Sequence, residues 1–442
     1  MLTTFRPLSS LRLALLLVVI TTALSAAPAP PSGPIYTQVY TLRPTEGVFA
    51  YARISPDGNR LVYASQLPAR PGVSRGWTET LVDLTTKTVL FNESGIDAYW
   101  DLDGKRIIYS GDGGVTVRHV DTGTRAVSPA ASGLGDYYSW AIRDGKDLIL
   151  TIESNYYYLD QDKAVLPSSK VSSCPGIGTG ERPLISKDGR RITTFVKGNV
   201  VVRGLDNCDD VFDTGIQGAK ADFSWDGKYI AFHALKKTGD GYEIKIVDIE
   251  KRTVRTLAGL NGSALFPSWT KDGRLCFRYD GPDYRGFMMA KGVLDVAAEP
   301  LPPAPQALPA DRTWSEIFPE TPAPQSHFTI VMIWAPWSAH SREAFGELEQ
   351  ARDYLSARMP SLSVLAAADP GSRQADVTRQ LADFHVTVPS ITLSGRGLLL
   401  TEGRNQMPTT LLFRDGVLID RRLGAQSFER LRDWVGGAAG LK

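Results

Sequence analysis

Six Asp-Gly pairs recur at nearly equal spacing and constrain the fold more than any other feature of the sequence. The intervals between successive pairs are 46, 41, 44, 38 and 46 residues, with the aspartates at Asp57, Asp103, Asp144, Asp188, Asp226 and Asp272. Asp-Gly between two strand-like runs is a strong hairpin signal, because glycine adopts the positive φ that such turns need. The chain is therefore expected to build one small β unit six times.

Each Asp-Gly pair lies between runs rich in Tyr, Val, Ile and Thr, which favour strands. The fifth copy predicts four strands, at residues 221–225, 229–234, 242–248 and 253–257. Four strands in a unit of about 40–45 residues are typical of a β-propeller blade. We therefore predict an all-β six-bladed propeller over residues 35–299, in which the alternating stretch 35–42 completes the sixth blade.

The turn sequences Ser55-Pro56-Asp57-Gly58 and Ser224-Trp225-Asp226-Gly227 carry a family resemblance. They resemble the WD-like repeats of the periplasmic TolB-type propeller. The resemblance covers the whole repeat region, and it implies a binding platform rather than a catalytic domain.

The N-terminus has the composition of a secretory signal peptide, predicted here as residues 1–26. Arg6 and Arg12 precede an apolar run at 13–20, and small residues follow at 25–27. The run is shorter than the about 20 apolar residues that cross a bilayer. We expect cleavage near Ala26, no stable membrane insertion afterwards, and an exported protein in the periplasm or outside the cell.

The charge of the chain is balanced, with 49 Lys and Arg against 48 Asp and Glu. No basic block is interleaved with aromatic residues, so nucleic acid is not an expected partner. The five histidines are scattered, and no Cys or His spacing is that of a metal or haem site. We therefore predict neither a metal nor another cofactor.

Three cysteines occur in the chain, and an odd number leaves at least one thiol free. Cys174 and Cys208 bracket the fourth hairpin and are the possible disulfide pair in an exported protein. Opposite edges of a blade could also hold them apart, so the sequence leaves this bond open. Cys276 lies in an apolar strand and is expected to be a small buried hydrophobe.

Residues 300–325 are rich in proline and are predicted to form an extended linker that does not pair in a sheet. From 326 to 442, strand-like and helix-like segments alternate, which predicts a second domain of α/β class. The predicted strands are 328–334, 362–368, 409–413 and 417–422, and the predicted helices are 314–318, 338–358, 372–384 and 426–435.

The first strand and helix of this domain meet at Trp334-Ala335-Pro336-Trp337-Ser338-Ala339-His340-Ser341. This segment resembles the active-site segment of the thioredoxin-like family, where Trp-Ala-x-Trp-Cys-x-x-Cys stands at the same junction. Met407-Pro408-Thr409-Thr410 resembles the cis-proline segment of that family, and the whole pattern is most similar to the TlpA-type branch. The resemblance implies a thioredoxin-like fold for 326–442 and a cis bond before Pro408.

Both cysteine positions of the family motif hold serine in this chain, at Ser338 and Ser341. The family's chemistry needs a thiolate with a lowered pKa. A serine hydroxyl cannot form a disulfide and is a poor nucleophile without an activating base. We therefore predict no catalytic residue here, and we expect Ser341 to cap the helix instead.

Binding is the property that the degenerate site could keep. Family members lay an extended peptide in the groove beside the cis-proline, which implies a groove formed by Trp337, Ser338, Ser341, Met407 and Pro408. We expect Trp337 to be exposed there, although local packing is the alternative. The resulting hypothesis is an exported, non-enzymatic binding or scaffold protein with a protein or peptide partner. The alternative is a thioredoxin-like thiol-disulfide oxidoreductase or chaperone that acts through the cysteines of a partner.

Overall fold

The computed structural model describes residues 33–440 apart from 43–48, 67–76, 112–113, 130–137, 152–155, 161, 166–183, 197, 240, 303–311 and 402–406. The predicted signal peptide, Cys174 and the middle of the proline-rich stretch lie outside the described residues. Six antiparallel sheets and one mixed sheet make up the described structure.

The six antiparallel sheets are the blades of a propeller and follow one another along the chain. The N-terminal strand β1 spans Ile35–Thr41. Blade 1 contains Phe49–Ile54, Arg60–Gln66, Trp77–Asp83 and Thr88–Ser94 (β2 to β5). Blade 2 contains Ile96–Trp100, Arg106–Gly111, Gly114–His119 and Arg125–Pro129 (β6 to β9). Blade 3 contains Tyr138–Arg143, Lys146–Thr151, Tyr156–Asp160 and Lys163–Val165 (β10 to β13).

The second half of the ring continues the same order. Blade 4 contains Arg191–Val196, Asn199–Gly204 and Val211–Gln217 (β14 to β16), with Ile185 bridged to Ile192 on its inner side. Blade 5 contains Ala219–Phe223, Tyr229–Leu235, Tyr242–Asp248 and Thr253–Thr256 (β17 to β20). Blade 6 contains Ser263–Trp269, Leu275–Asp280 and Arg285–Lys291 (β21 to β23).

The N-terminal strand closes the ring. β1 pairs antiparallel with β23, from Ile35 opposite Lys291 to Thr41 opposite Gly286. The sixth sheet therefore has the order β1-β23-β22-β21, and the prediction that the stretch 35–42 completes blade 6 is confirmed. This pairing holds the two ends of the propeller together.

Blade 5 carries an additional edge strand from the beginning of the proline-rich stretch. Glu299–Pro300 (β24) pairs antiparallel with β20, with Pro300 opposite Thr253. The prediction that this stretch does not pair in a sheet is wrong at Pro300. An edge strand tolerates proline, because one side of the strand needs no backbone N–H for the ladder.

In four of the six blades, a hydroxyl two residues before the aspartate holds the Asp-Gly turn. In blade 1, Ser55 Oγ donates to Asp57 at 2.5 Å and accepts the backbone N–H of Arg60 at 2.9 Å. In blade 5, Ser224 donates to Asp226 at 2.6 Å in the same way. The glycine that follows has a φ of 78° at Gly58, a left-handed value that other residues rarely adopt. The repeated sequence therefore corresponds to a repeated hydrogen-bonded turn.

Neighbouring blades are joined by side chains of their first strands. A hydroxyl or carboxylate of one blade accepts a backbone N–H from the next blade, which satisfies polar groups at the blade junctions. The pairs are Ser268 with Ile54 (3.3 Å), Asp222 with Trp269 (3.0 Å) and Ser139 with Ile185 (3.0 Å).

The C-terminal part forms one mixed sheet of order β27-β26-β25-β28-β29. Its strands are Phe328–Trp334 (β25), Leu362–Ala368 (β26), Ser390–Ile391 (β27), Thr409–Arg414 (β28) and Val417–Leu423 (β29). Strands β25, β26 and β27 are parallel to one another, β28 pairs antiparallel with β25, and β29 pairs antiparallel with β28. The helices are Trp314–Ile317 (α1), Ala339–Ser356 (α2), Gln374–Asp383 (α3), Gly395–Leu400 (α4) and Phe428–Ala438 (α5).

The two faces of this sheet pack into different cores. One face, with Ile330 and Met332, packs on helices α2 and α5. The other face, with Val331 and Ile333, shares one hydrophobic cluster with α1, α4 and Phe266 of the propeller. Propeller and C-terminal sheet are thus continuous through a common core, and the residues around Trp314 belong to it.

A buried carboxyl lies at the junction of blades 1 and 2. Glu79 of β4 is 1 % exposed, and its Oε1 accepts the backbone N–H of Ala98 at 2.9 Å. Within the described residues its Oε2 has no hydrogen-bond partner. Burial raises the pKa of Glu79 to about 8, so the carboxyl is largely protonated in the folded chain at neutral pH.

We predict that Glu79 makes the stability of the protein depend on pH. Because the folded-state pKa is raised, this contribution is full below pH 4.5 and is lost as the pH rises through about 8. The free energy of unfolding should fall by up to about 1.4 kcal/mol per pH unit between these limits. Urea denaturation at several pH values measures the slope.

Glu79→Gln is the matched variant, since a neutral amide keeps the acceptor for Ala98 without a titrating group. Its slope between the same limits should be flatter than that of the wild type. An identical slope in both proteins would contradict the assignment.

A candidate site at the junction of propeller and C-terminal sheet

Trp337 lies in the loop between β25 and α2 and is buried by the propeller. Its ring packs edge-to-face against His233, Tyr242 and Phe266, with centroid distances of 5.8, 5.8 and 6.1 Å. Only 4 % of Trp337 is exposed. The expected exposure of this residue is therefore wrong, because three side chains from blades 5 and 6 surround it. We call His233, Tyr242 and Phe266 the aromatic socket.

His233 forms the floor of the aromatic socket as a neutral ring. Its Nδ1 accepts the backbone N–H of Phe266 at 3.3 Å, so its proton resides on Nε2. Burial, together with the positive charges of Lys220 and Arg278, holds the pKa of His233 well below its ordinary value. The socket therefore offers Trp337 an uncharged aromatic surface.

Asp369, which follows β26 of the C-terminal sheet, holds the indole of Trp337 by a hydrogen bond. Trp337 Nε1 donates to Asp369 Oδ2 at 3.1 Å, and Gly371 N and Ser372 Oγ each donate to the same carboxyl at 3.2 Å. Burial raises the pKa of Asp369, while its hydrogen bonds, including one from Tyr242, act in the opposite direction. A carboxyl at the end of β26 thus connects the Trp337 loop with the aromatic socket.

Ser338 and Ser341 are both buried, and both of their hydroxyls make hydrogen bonds. Ser338 is 7 % exposed, and its Oγ donates to the carbonyl of Met407 at 2.6 Å. Ser341 is 1 % exposed, and its Oγ accepts the N–H of Ala335 at 3.2 Å. Ser341 does not cap the helix as expected, because α2 begins at Ala339 and places it in the first turn. Neither hydroxyl contacts an activating base among the described residues.

The Met407–Pro408 peptide bond is cis, as the resemblance of this segment implies. Met407 and Pro408 are both buried, and Ser338 contacts Met407 directly. The structure therefore gathers Trp337, Ser338, Ser341, Met407 and Pro408 in one region but leaves none of them exposed.

Polar contacts hold the C-terminal sheet in one orientation on the propeller. Arg285 of β23 lies 3.5 Å from Asp376 of α3, and their side chains are 11 % and 8 % exposed. Asp376 also accepts from Arg379 at 2.5 Å. Ser263 Oγ donates to the carbonyl of Gly371 at 3.2 Å. Each charge of the Arg285–Asp376 pair also has a second partner on its own side, so the contact belongs to a buried network of ion pairs.

A second buried cluster, of polar side chains, joins three of the blades. Tyr99 donates its hydroxyl to Asp222 at 3.0 Å and accepts from Lys187 Nζ at 2.8 Å. Burial lowers the pKa of Lys187, but the charge of Asp222 and the contact with Tyr99 outweigh it, and the net pKa is raised. These three residues come from blades 2, 4 and 5, so their charges are already paired within the ring.

The aromatic socket was not predicted from the sequence. In the structure, the position six residues before the turn aspartate has a left-handed backbone, with φ values of 34° at Tyr51 and 54° at Phe266. Asp97 and Lys220 occupy the same position in blades 2 and 5 with φ values of 65° and 56°. Left-handed backbone at side-chain-bearing residues is costly and marks a constrained site.

The cysteines are only partly within the described structure. Cys208 is disulfide-bonded, whereas Cys276 is a free, buried thiol. Burial raises the pKa of Cys276 to about 12, which makes it unreactive. Cys174, the expected partner of Cys208, lies outside the described residues, so the pairing stays a prediction.

Neither a metal-binding group nor a membrane-spanning helix occurs among the described residues. Among the residues that the structure describes, no three His, Cys, Asp or Glu side chains are grouped so that they could hold a metal ion. In the same part of the chain, none of the helices has the length and apolar character needed to cross a bilayer.

Comparison with known proteins finds similarity only among solved structures. No protein-family model and no curated protein matches this chain. Hydrazine synthase of Kuenenia stuttgartiensis is 15% identical with a TM-score of 0.34, covering 55% of this chain and 80% of that one. TolB of Acinetobacter baumannii is 20% identical with a TM-score of 0.36, covering 57% and 65%. A putative TolB of Agrobacterium tumefaciens is 14% identical with a TM-score of 0.36, covering 48% and 83%. Similarity at this level supports no statement about activity, ligand or partner.

We predict that Trp337→Ala destabilises the protein strongly. The substitution removes the three ring contacts and the hydrogen bond to Asp369, and it leaves a cavity in the shared core. The free energy of unfolding should fall by about 3–5 kcal/mol, the usual cost of truncating a buried tryptophan. Chemical denaturation followed by circular dichroism measures the loss.

Trp434→Ala is the matched control, because Trp434 is half-buried on α5 and bonds to Asp420 on the other side of the sheet. The free energy of unfolding should fall clearly less in Trp434→Ala than in Trp337→Ala. Equal decreases in the two variants would show that the aromatic socket makes no specific contribution to stability.

Proposed function

We propose that this chain is an exported, non-enzymatic binding and scaffold protein in which a redox-inactive thioredoxin-like unit is fixed on a propeller. One observation carries the proposal: both cysteine positions of the motif hold buried serines with engaged hydroxyls, beside a tryptophan that the propeller covers. The face on which that family binds substrates here faces the aromatic socket.

The geometry argues against an oxidoreductase. Thiol-disulfide exchange needs an accessible thiolate. Ser338 supplies no thiol, and its hydroxyl is committed to Met407. A partner's disulfide would also have to displace Trp337 from the socket to reach this region. An oxidoreductase or chaperone that acts through partner cysteines is therefore the weaker proposal.

Binding to a protein or peptide partner is the proposed role of the whole chain. A propeller presents many loops and blade edges on a rigid ring, and the buried Arg285–Asp376 pair holds the C-terminal sheet at one angle to it. Export, proposed from the N-terminal sequence, would bring such a scaffold to partners in the periplasm or outside the cell. Because the thioredoxin-like groove is covered, the partner surface is expected elsewhere.

Restoring the cysteines tests the redox part of the proposal. In an insulin-disulfide reduction assay the wild type should be inactive. The double variant Ser338→Cys with Ser341→Cys should show little reductase activity, since both positions remain buried. Adding Trp337→Ala should raise turnover by releasing the face from the socket. Wild-type turnover above buffer would overturn the proposal.

Partner capture tests the binding part. The mature full chain, immobilised and exposed to a periplasmic extract, should retain a defined partner after a salt wash. Trp337→Ala should retain the same partner if its fold persists, because the covered groove is not the proposed surface. Failure of the wild type to retain any protein would contradict the binding role.

A further inference from the structure

A cleft lies between blades 4 and 5, away from the aromatic socket. Its volume is about 430 Å³, within the usual range of ligand sites. Of the described residues, β16 of blade 4 forms one wall, and β18, β19 and β20 of blade 5 form the other. The edge strand β24 borders it through Pro300.

We propose that this cleft binds an extended, uncharged peptide segment of a partner protein that carries an aliphatic side chain. The inference rests on the proposed binding function and assigns it a surface. Four features of the cleft select this occupant: its walls, its polar groups, its balanced charges and the open strand beside it.

The walls fit an aliphatic side chain. Ile216, Leu235 and Val254 contribute apolar surface to the cleft. Leu301 of the chain's own segment after β24 packs against the core of blades 4 and 5, as Ile216 does. The junction of these blades thus accommodates an aliphatic residue on an extended, proline-flanked backbone.

The polar groups fit a peptide backbone. Gln217 lines the cleft, and its buried Oε1 has no hydrogen-bond partner within the described residues, so a rotation of the amide toward the cleft would offer an unused acceptor to a backbone N–H. Lys245 Nζ contacts Glu243 at 2.7 Å and Thr256 Oγ1 at 2.8 Å, which leaves one of its three donors for a carbonyl.

The charges of the lining balance. Lys237 and Lys245 stand against Glu243 and Glu299, so the cleft offers no net field to an anion or a cation. Recognition of a nucleotide or of an anionic lipid head group uses an excess of positive charge, which is missing here. A neutral segment is therefore the better match.

An open strand edge lies directly beside the cleft. β16 pairs only with β15, so its outer edge is unpaired in the described structure. Such an edge is a template for an added strand, and peptides bind many proteins in this way. On blade 5 the chain itself covers the outer edge with β24. A partner segment on β16 would repeat that arrangement.

Photo-crosslinking tests the proposal on the mature full chain. The probe is the capped peptide acetyl-Thr-Leu-Val-Thr-amide, with leucine replaced by its diazirine analogue. Irradiation should attach it to residues of β16, β18 or β20, as located by mass spectrometry. The unmodified peptide should compete, and the same peptide with aspartate in place of leucine should not.

Three variants make the result decisive. Thr256→Trp fills the cleft from a partly exposed position and should lower labelling at least about tenfold. Val127→Trp, on the exposed outer strand of blade 2, should leave labelling unchanged. Gln217→Leu keeps the volume but removes the acceptor, and it should weaken binding about fivefold, the value of one hydrogen bond. If Thr256→Trp does not fold, the labelling of Gln217→Leu tests whether the peptide binds in the cleft.

The outcomes separate this inference from the proposed function. No labelling, or equal labelling in wild type and Thr256→Trp, would overturn the cleft assignment. Labelling spread evenly over the outer strands of all blades would overturn it as well. If Thr256→Trp still retains the partner captured by the wild type, the scaffold role stands and the partner uses another surface.

Discussion

Burial of Trp337 among His233, Tyr242 and Phe266 is the interaction on which the arrangement of the whole chain depends. It places a loop of the C-terminal sheet inside the propeller's own packing, so the two parts share one core. Asp369 holds the indole from one side, and the Arg285–Asp376 pair fixes the angle. A surface that could otherwise receive a partner is thereby used for internal contact, and function has to be sought elsewhere on the molecule.

The propeller provides that rigid support through small repeated devices. A hydroxyl such as that of Ser55 holds the Asp-Gly turn in four of the blades, and a side chain such as that of Ser268 accepts a backbone N–H of the neighbouring blade. The first and last parts of the ring are joined when β1 pairs with β23. Each device is worth little alone, but together they join the blades into a ring on which the C-terminal sheet can dock.

Local pattern predicted a large part of this structure. The six turns, the closing strand β1 and strands β25 and β26 follow from short-range signals, whereas the cis bond before Pro408 was expected from the family resemblance. Strand β27 and helix α4 were missed because they are short, and α4 contains glycine. The burial of Trp337 could not be predicted, since the aromatic socket comes from two blades far away in sequence. The cleft at Gln217 depends on blade packing in the same way.

Protection of the serine-bearing face tests the central claim most directly. A Ser338→Cys variant would place one new thiol beside Trp337, while Cys276 is buried and should not react. Alkylation of the native protein, followed by intact mass, should be slow, and it should accelerate when Tyr242→Ala opens the socket from the propeller side. Rapid alkylation of Ser338→Cys without that second change would contradict the account, because the face would then be open to solvent and to partners.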